Sequence, residues 1–272
     1  MRHNSLFILL TLAVGLAATS AFAEGDDIWR RNGYEKISIY WTKGGKKTLL
    51  KEWYLAELGQ WKLDGRAEKD PVTGQMVTWS GPRMSKLVDI ALRGMNLHDR
   101  GTVDILVVRS NDGREVAVPR AVVRKYPLIL ALMKNGNLLE SQNKPFKTIV
   151  PWTSMSSIKE TPFPLNKYFV AGVKEIELAN AAEKFGKFVL SKRSDPVALR
   201  GERVFRWSCM GCHETAPKKF LRDSFQITQN DAIKTKHSSI GSYMPPLSGN
   251  DVRGVNSYLD AFLREQRILN SE

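Results

Sequence analysis

The sequence is short of cysteine, of histidine and of acidic residues, and each shortage closes off a class of protein. Only two cysteines occur in 272 residues, Cys209 and Cys212. A disulfide scaffold needs more of them, and so does a four-cysteine zinc site. No cysteine stands between Met1 and Ser208, so that long stretch has no thiolate to offer a metal or a substrate. Histidine is confined to His3, His98, His213 and His237, which supply no second ligand pair at zinc-site spacing. Acidic residues number 28 against 41 lysines and arginines, a net charge of +13. Beyond the first two dozen positions no apolar run approaches the roughly 20 residues that a membrane-spanning helix requires.

The two cysteines stand three apart and are followed at once by a histidine: Cys209-Met210-Gly211-Cys212-His213. Residues three and four apart on a helical turn share a face, so both thiols and the imidazole can reach one flat ligand together. Cys-x-x-Cys-His is the pattern of covalent haem c attachment, with the thiols bonded to the porphyrin edge and the histidine on the iron. A thioredoxin-like dithiol expects a βαβ context and gives no reason for the histidine. Cys209 and Cys212 are therefore the expected covalent haem residues, and His213 the expected first axial ligand.

The N-terminus fits that chemistry. Arg2 and His3 precede an apolar run from Leu6 to Ala18, and Ala21-Phe22-Ala23 forms a small-x-small cleavage site. Residues 1–23 read as a secretory signal peptide. The expected mature chain begins near Glu24, is exported to the periplasm and has no transmembrane anchor. A basic exported protein meets little nucleic acid, so its charge points to an acidic protein partner or an anionic surface. The excess lies before the haem motif. From Asp195 onward 11 basic residues face 9 acidic ones.

The rest of the chain divides by pattern. Ile37, Ile39 and Trp41 alternate as a strand does. Gly44-Gly45-Lys46-Lys47-Thr48 is not a phosphate loop, because Tyr40 stands where the first glycine belongs and Lys47 where Ser or Thr belongs. It reads as a turn into a helix capped at Thr48. Strands are expected on either side of the Asp70-Pro71 and Thr73-Gly74 turns, then a helix opened by Pro82. Thr102 to Arg109, a turn at Asn111-Asp112-Gly113 and Glu115 to Val118 make a hairpin. A short helix near 120–126, strands at 128–133 and 148–150, and a strand closing at Leu178 complete an α+β domain with its core from about 37 to 178. Residues 179–194 read as a linker. Asp195-Pro196 is an N-cap followed by a first-turn proline.

Two stretches resemble known families. Ser80 to Ile90, the strand ending at Arg109, Asn111-Asp112-Gly113, Val116 to Pro119 and Ile129 to Gly136 resemble the molybdopterin-binding domain of the sulfite oxidase family. That family holds molybdenum through a cysteine thiolate, and its absence from residues 24–178 argues against molybdopterin chemistry here. Residues 195–272 resemble a class I, single-haem cytochrome c. The resemblance implies an all-α domain in which Gly201 and Phe205 of a first helix pack on a last helix. That last helix starts at Ser248, with Asp251 as partner in a capping box and Val255, Tyr258, Leu259 and Phe262 on one face. It also implies a methionine as second axial ligand, and Met244 is the sole methionine after His213. His237 is the competing ligand. His98 has no assigned role, and Met76, Met84, Met95, Met133 and Met155 read as core.

The expected protein is thus α+β followed by all-α. It is a periplasmic electron carrier with one His213/Met244 haem, docked through a non-catalytic first domain to an acidic redox partner or a molybdenum oxidoreductase. The alternatives are a molybdopterin enzyme that passes electrons to its own haem, and a haem-based redox or gas sensor.

Overall fold

Four consecutive apolar residues in a strand require that both faces be covered. Ile105-Leu106-Val107-Val108 is such a run, and it lies at the centre of the molecule. The computed structural model describes residues 34–70, 73–140, 143–155, 168–192, 194–209 and 247–269. The haem motif beyond Cys209, Met244, His237 and residues 1–33 lie outside them.

The chain enters through β1 (Lys36–Lys43) and turns back as β2 (Lys46–Tyr54), pairing Lys43 with Lys46. The expected helix from Thr48 is therefore a strand. Gly44 and Gly45 both have positive φ, 57° and 73°. Two such residues make the primed turn that matches the twist of a hairpin, and pairing with β1 overrides the helix preference of the Lys and Leu residues that follow. Helix is confined to α1 (Leu55–Gly59). β2 is an edge strand with Lys46 and Lys51 exposed along it, while Lys47 reaches inward across β1 to Glu175 of β11 at 2.7 Å.

Next come β3 (Asp64–Lys69), β4 (Met76–Gly81), α2 (Met84–Leu92), α3 (Leu97–Thr102), β5 (Ile105–Ser110), β6 (Glu115–Pro119) and α4 (Arg120–Lys125). α3 is an addition to the elements expected from sequence, although Asn96 caps it by accepting from Asp99 N at 2.8 Å. β7 (Ile129–Ala131), β8 (Met133–Lys134), β9 (Asn137–Leu138), β10 (Lys147–Ile149) and β11 (Val173–Ala179) complete the strands. The main sheet has the order β2-β1-β11-β5-β6. β1 and β11 run parallel, with Ser38 opposite Glu175 and Trp41 opposite Leu178, and the other pairs are antiparallel. β3, β4, β8 and β9 form a second sheet, and β7 pairs with β10.

Leu106 and Val108 face the larger core, with Ile37, Ile39, Ile176, Leu178 and the buried residues of α2. Ile105 and Val107 face the other way, into a second core. Its far side is built from α6 (Pro196–Ser208) and α7 (Gly249–Leu269). Between strand and helices, residues 179–194 carry α5 (Ala181–Lys184) and a single 3-10 turn, and bury Ala181, Phe185, Phe188 and Leu190. The stretch that reads as a linker is packed along most of its length.

One ionic network ties three strands of the main sheet. Arg109 on β5 contacts Glu115 on β6 and both Glu175 and Glu177 on β11. Burial alone would lower the Arg109 pKa, but the carboxylates outweigh it and raise it above the ordinary arginine value. Burial alone would raise the Glu177 pKa, but Thr42, Arg109 and Lys184 hold it below its ordinary value. The described part of the chain is a mixed α/β unit with a helix pair against one sheet face. No described helix is long and apolar enough to cross a membrane.

Candidate functional site

α6 begins where its sequence signal stands. Asp195 Oδ1 accepts from Val197 N at 2.8 Å and from Ala198 N at 3.2 Å, and Pro196 occupies the first turn, where a missing N–H costs nothing. These backbone bonds, that from Ala198 foremost, hold the Asp195 pKa below the ordinary carboxylate value. α7 begins with a reciprocal cap. Asp251 N donates to Ser248 Oγ at 3.2 Å, and Ser248 N donates to Asp251 Oδ2 at 3.1 Å. Asp251 also receives Arg200 of α6 at 2.9 Å, and Ser257 of α7 donates to Asp195 at 3.2 Å. Each helix thus contributes a polar group to the start of the other.

The helices cross where two glycines meet. A Cβ on Gly201 would lie 1.8 Å from the Gly254 carbonyl oxygen and 2.8 Å from Val255 N. Hydrogen in place of a side chain is what allows this approach. Just beyond the crossing, Phe205 and Tyr258 stack at 5.2 Å, and Phe188 lies 5.7 Å from Phe205. Tyr258 is fully buried and donates its hydroxyl to Phe188 O at 2.7 Å. Burial, and after it the charge of Glu202, raises the Tyr258 pKa, so the phenol keeps the proton it donates. Glu202 is itself buried and accepts from Leu190 N at 3.0 Å.

This packing brings Cys209 to the C-terminal end of α6. Its N–H donates to Phe205 O at 2.8 Å, the last helical bond, and its side chain is partly exposed while packed against the second core. That environment fits a thiol which must be held by the protein yet remain open to a ligand. Cys212, His213 and Met244 lie outside the described residues. Gly201, Phe205, Ser248, Asp251, Val255, Tyr258, Leu259 and Phe262, singled out from the sequence as helix-pair residues, are brought together. Among the described residues no three His, Cys, Asp or Glu side chains are placed to hold a metal ion.

The first unit, the sheets and short helices from β1 to β11, uses its buried charges internally. Glu68 is fully buried on β3 and accepts from Thr153 N at 2.6 Å and Ser154 N at 3.3 Å, pinning the 151–155 turn to that strand. Lys147, also buried, sits 4.6 Å above the Trp79 ring, and burial lowers its pKa. What sequence reasoning misses is a group of arginines on α3, α4 and α6. The spacings Arg120/Arg124 and Arg203/Arg206 put each pair on one helix face, and that spacing is the signal that could have found them.

No family model matches the chain, and no curated protein matches it. Among solved structures it is similar to the crystal structure of the sulfane dehydrogenase SoxCD from Paracoccus pantotrophus, at 13% sequence identity and a TM-score of 0.37. The alignment covers 55% of this chain and 39% of that one. A likeness of that size says nothing about activity.

Proposed function

We propose that the chain is an exported electron-transfer protein with one covalent haem c, docked to a redox partner through its basic first unit. Cys209 and Cys212 would hold the haem, and His213 and Met244 would ligate its iron. The observation that carries this reading is the Cys209-Met210-Gly211-Cys212-His213 motif at the end of α6. When bound, such a group would supply a one-electron iron couple, with His213 and Met244 as the residues that would hold the iron and raise its potential. The residues of this chain supply the mounting. Asp195 and Pro196 start α6 at a defined point, Gly201 lets it press on α7, and the Phe205 carbonyl accepts from Cys209 N where the helix ends. Electron transfer needs no general base or nucleophile, and the first unit has no cysteine for a molybdenum ligand.

The test is to express the whole chain in a bacterium that attaches haem to exported proteins, then denature it and stain for haem. Haem should stay with the polypeptide, at one per chain by pyridine haemochrome, and Cys209→Ala/Cys212→Ala should lose it. Haem that washes away on denaturation, or stoichiometric molybdenum in the purified protein, would defeat the reading.

A further inference from the structure

A cavity of about 580 Å³ opens between α3, α4 and α6. Five arginines line it: Arg100 from α3, Arg120 and Arg124 from α4, and Arg203 and Arg206 from α6. One carboxylate, Asp104, stands among them. That carboxylate is occupied, receiving Arg206 Nη2 at 3.2 Å and Ala181 N at 2.6 Å.

Arg100 and Arg120 are oriented by backbone carbonyls, and the Asp89 carboxylate offsets part of the charge on Arg120. Arg100 donates to the carbonyls of Met95 and Arg93 at 2.8 and 2.7 Å. Arg120 donates to those of Arg100 and Val103 at 2.8 and 3.1 Å. Backbone carbonyls fix a guanidinium in place but carry no net charge to cancel its own. Burial, then the charge of Arg124, lowers the Arg120 pKa, and an arginine remains protonated all the same. Two buried donors at this cleft, Arg120 Nε and Arg206 Nε, have no acceptor among the described residues. A buried charged donor left without an acceptor is costly.

Cations fixed by neutral carbonyls, mutually repelling and retaining unused donors, form a site whose missing component is anionic. The volume falls within the roughly 300–1,000 Å³ of small-molecule sites, far more than one tetrahedral ion fills. Val103, Ala121 and the methylene stems of the arginines give the cleft apolar walls, and the five guanidinium groups give it its charge. Guanidinium forks match the paired oxygens of phosphate-type groups, and their spread over three helices calls for more than one such group. We propose that this cleft binds a compact small molecule carrying two or more phosphate-type groups. Binding there needs no haem, so it can be tested apart from electron transfer.

Inorganic pyrophosphate is the probe, titrated calorimetrically into the purified full-length chain at low and at physiological ionic strength. It should bind one to one, more weakly at higher salt, and about tenfold or more tighter than orthophosphate. Arg124→Gln/Arg203→Gln should weaken it by about tenfold or more without lowering the unliganded denaturation midpoint, because both side chains are exposed and their removal only relieves repulsion. If the double variant misfolds, Arg124→Gln alone serves. No binding, equal binding of orthophosphate, equal or tighter binding of an oligoglutamate peptide, or unaltered affinity in a folded variant would each overturn the proposal.

Discussion

Replacing Gly201 by alanine is the sharpest test of the helix crossing. The new Cβ would sit 1.8 Å from the Gly254 carbonyl oxygen and 2.2 Å from its carbon. Those are backbone atoms inside a regular helix and cannot rotate away. The helices must part by roughly 1.5 Å or more before carbon and oxygen reach van der Waals contact. Overpacking of this kind costs about 1–3 kcal/mol, and the rigidity of the obstacle puts it at the upper end. Separation also weakens the Phe205–Tyr258 stack, worth about 0.5–1.5 kcal/mol beyond its buried area. Alanine returns about 1 kcal/mol of helix preference. The balance is a loss of about 3 kcal/mol, roughly a hundredfold in the unfolding equilibrium. Gly254→Ala is the control, because its Cβ would meet Gly201 at 3.2 and 3.3 Å, a contact relieved by a few tenths of an ångström. Strain and helix preference then nearly cancel, and the change should stay within about 1 kcal/mol. Urea denaturation followed by circular dichroism compares them. Equal effects at the two glycines, or a Gly201→Ala variant as stable as the parent, would refute the close crossing.

Arg109→Met should destabilise the main sheet by about 3 kcal/mol in the same assay, since it leaves Glu177 buried with Lys184 as its remaining cation. Acid should loosen the helix pair. Asp195 and Asp251 both have lowered folded pKa values; for Asp251 the upward push of burial is outweighed by Ser248 and Arg200. A lowered folded value means the unfolded chain binds more protons in acid, so this stability is complete above about pH 4 and is lost as pH falls through the lower folded values. Asp195→Asn/Asp251→Asn should flatten the pH dependence of the denaturation midpoint below that point. A slope as steep as the parent's would remove these carboxylates from the account.

Features that depend on a few neighbouring residues are legible in the sequence. Asp195-Pro196 and Ser248 with Asp251 mark helix starts because a cap is local chemistry, satisfied within one turn. Gly201 and Phe205 are recognisable through family resemblance, and the contact with Gly254 and Tyr258 gives the physical reason. The stretch from Thr48 to Leu58 reads as one helix because Lys, Leu and Glu favour helix when taken alone, and pairing with β1 makes its first part, up to Tyr54, a strand. The position of β11 between β1 and β5 joins segments more than sixty residues apart, and no local pattern encodes it. The arginine cleft is of the same kind, since α6 joins α3 and α4 from a distant part of the chain to build it.

β5 has a mechanical consequence. Because Ile105 and Val107 belong to one core while Leu106 and Val108 belong to the other, the strand is a party wall shared by two rooms. The helix pair is mounted on that wall and does not swing from a tether. Turning it would bare Ile105, Val107, Ala117 and Ala179 to water, so the end of α6 keeps a set distance and angle from the sheet. Range and aim are built into the masonry, and residues 179–194 are part of it, since Ala181, Phe185, Phe188 and Leu190 are bricks of the same core.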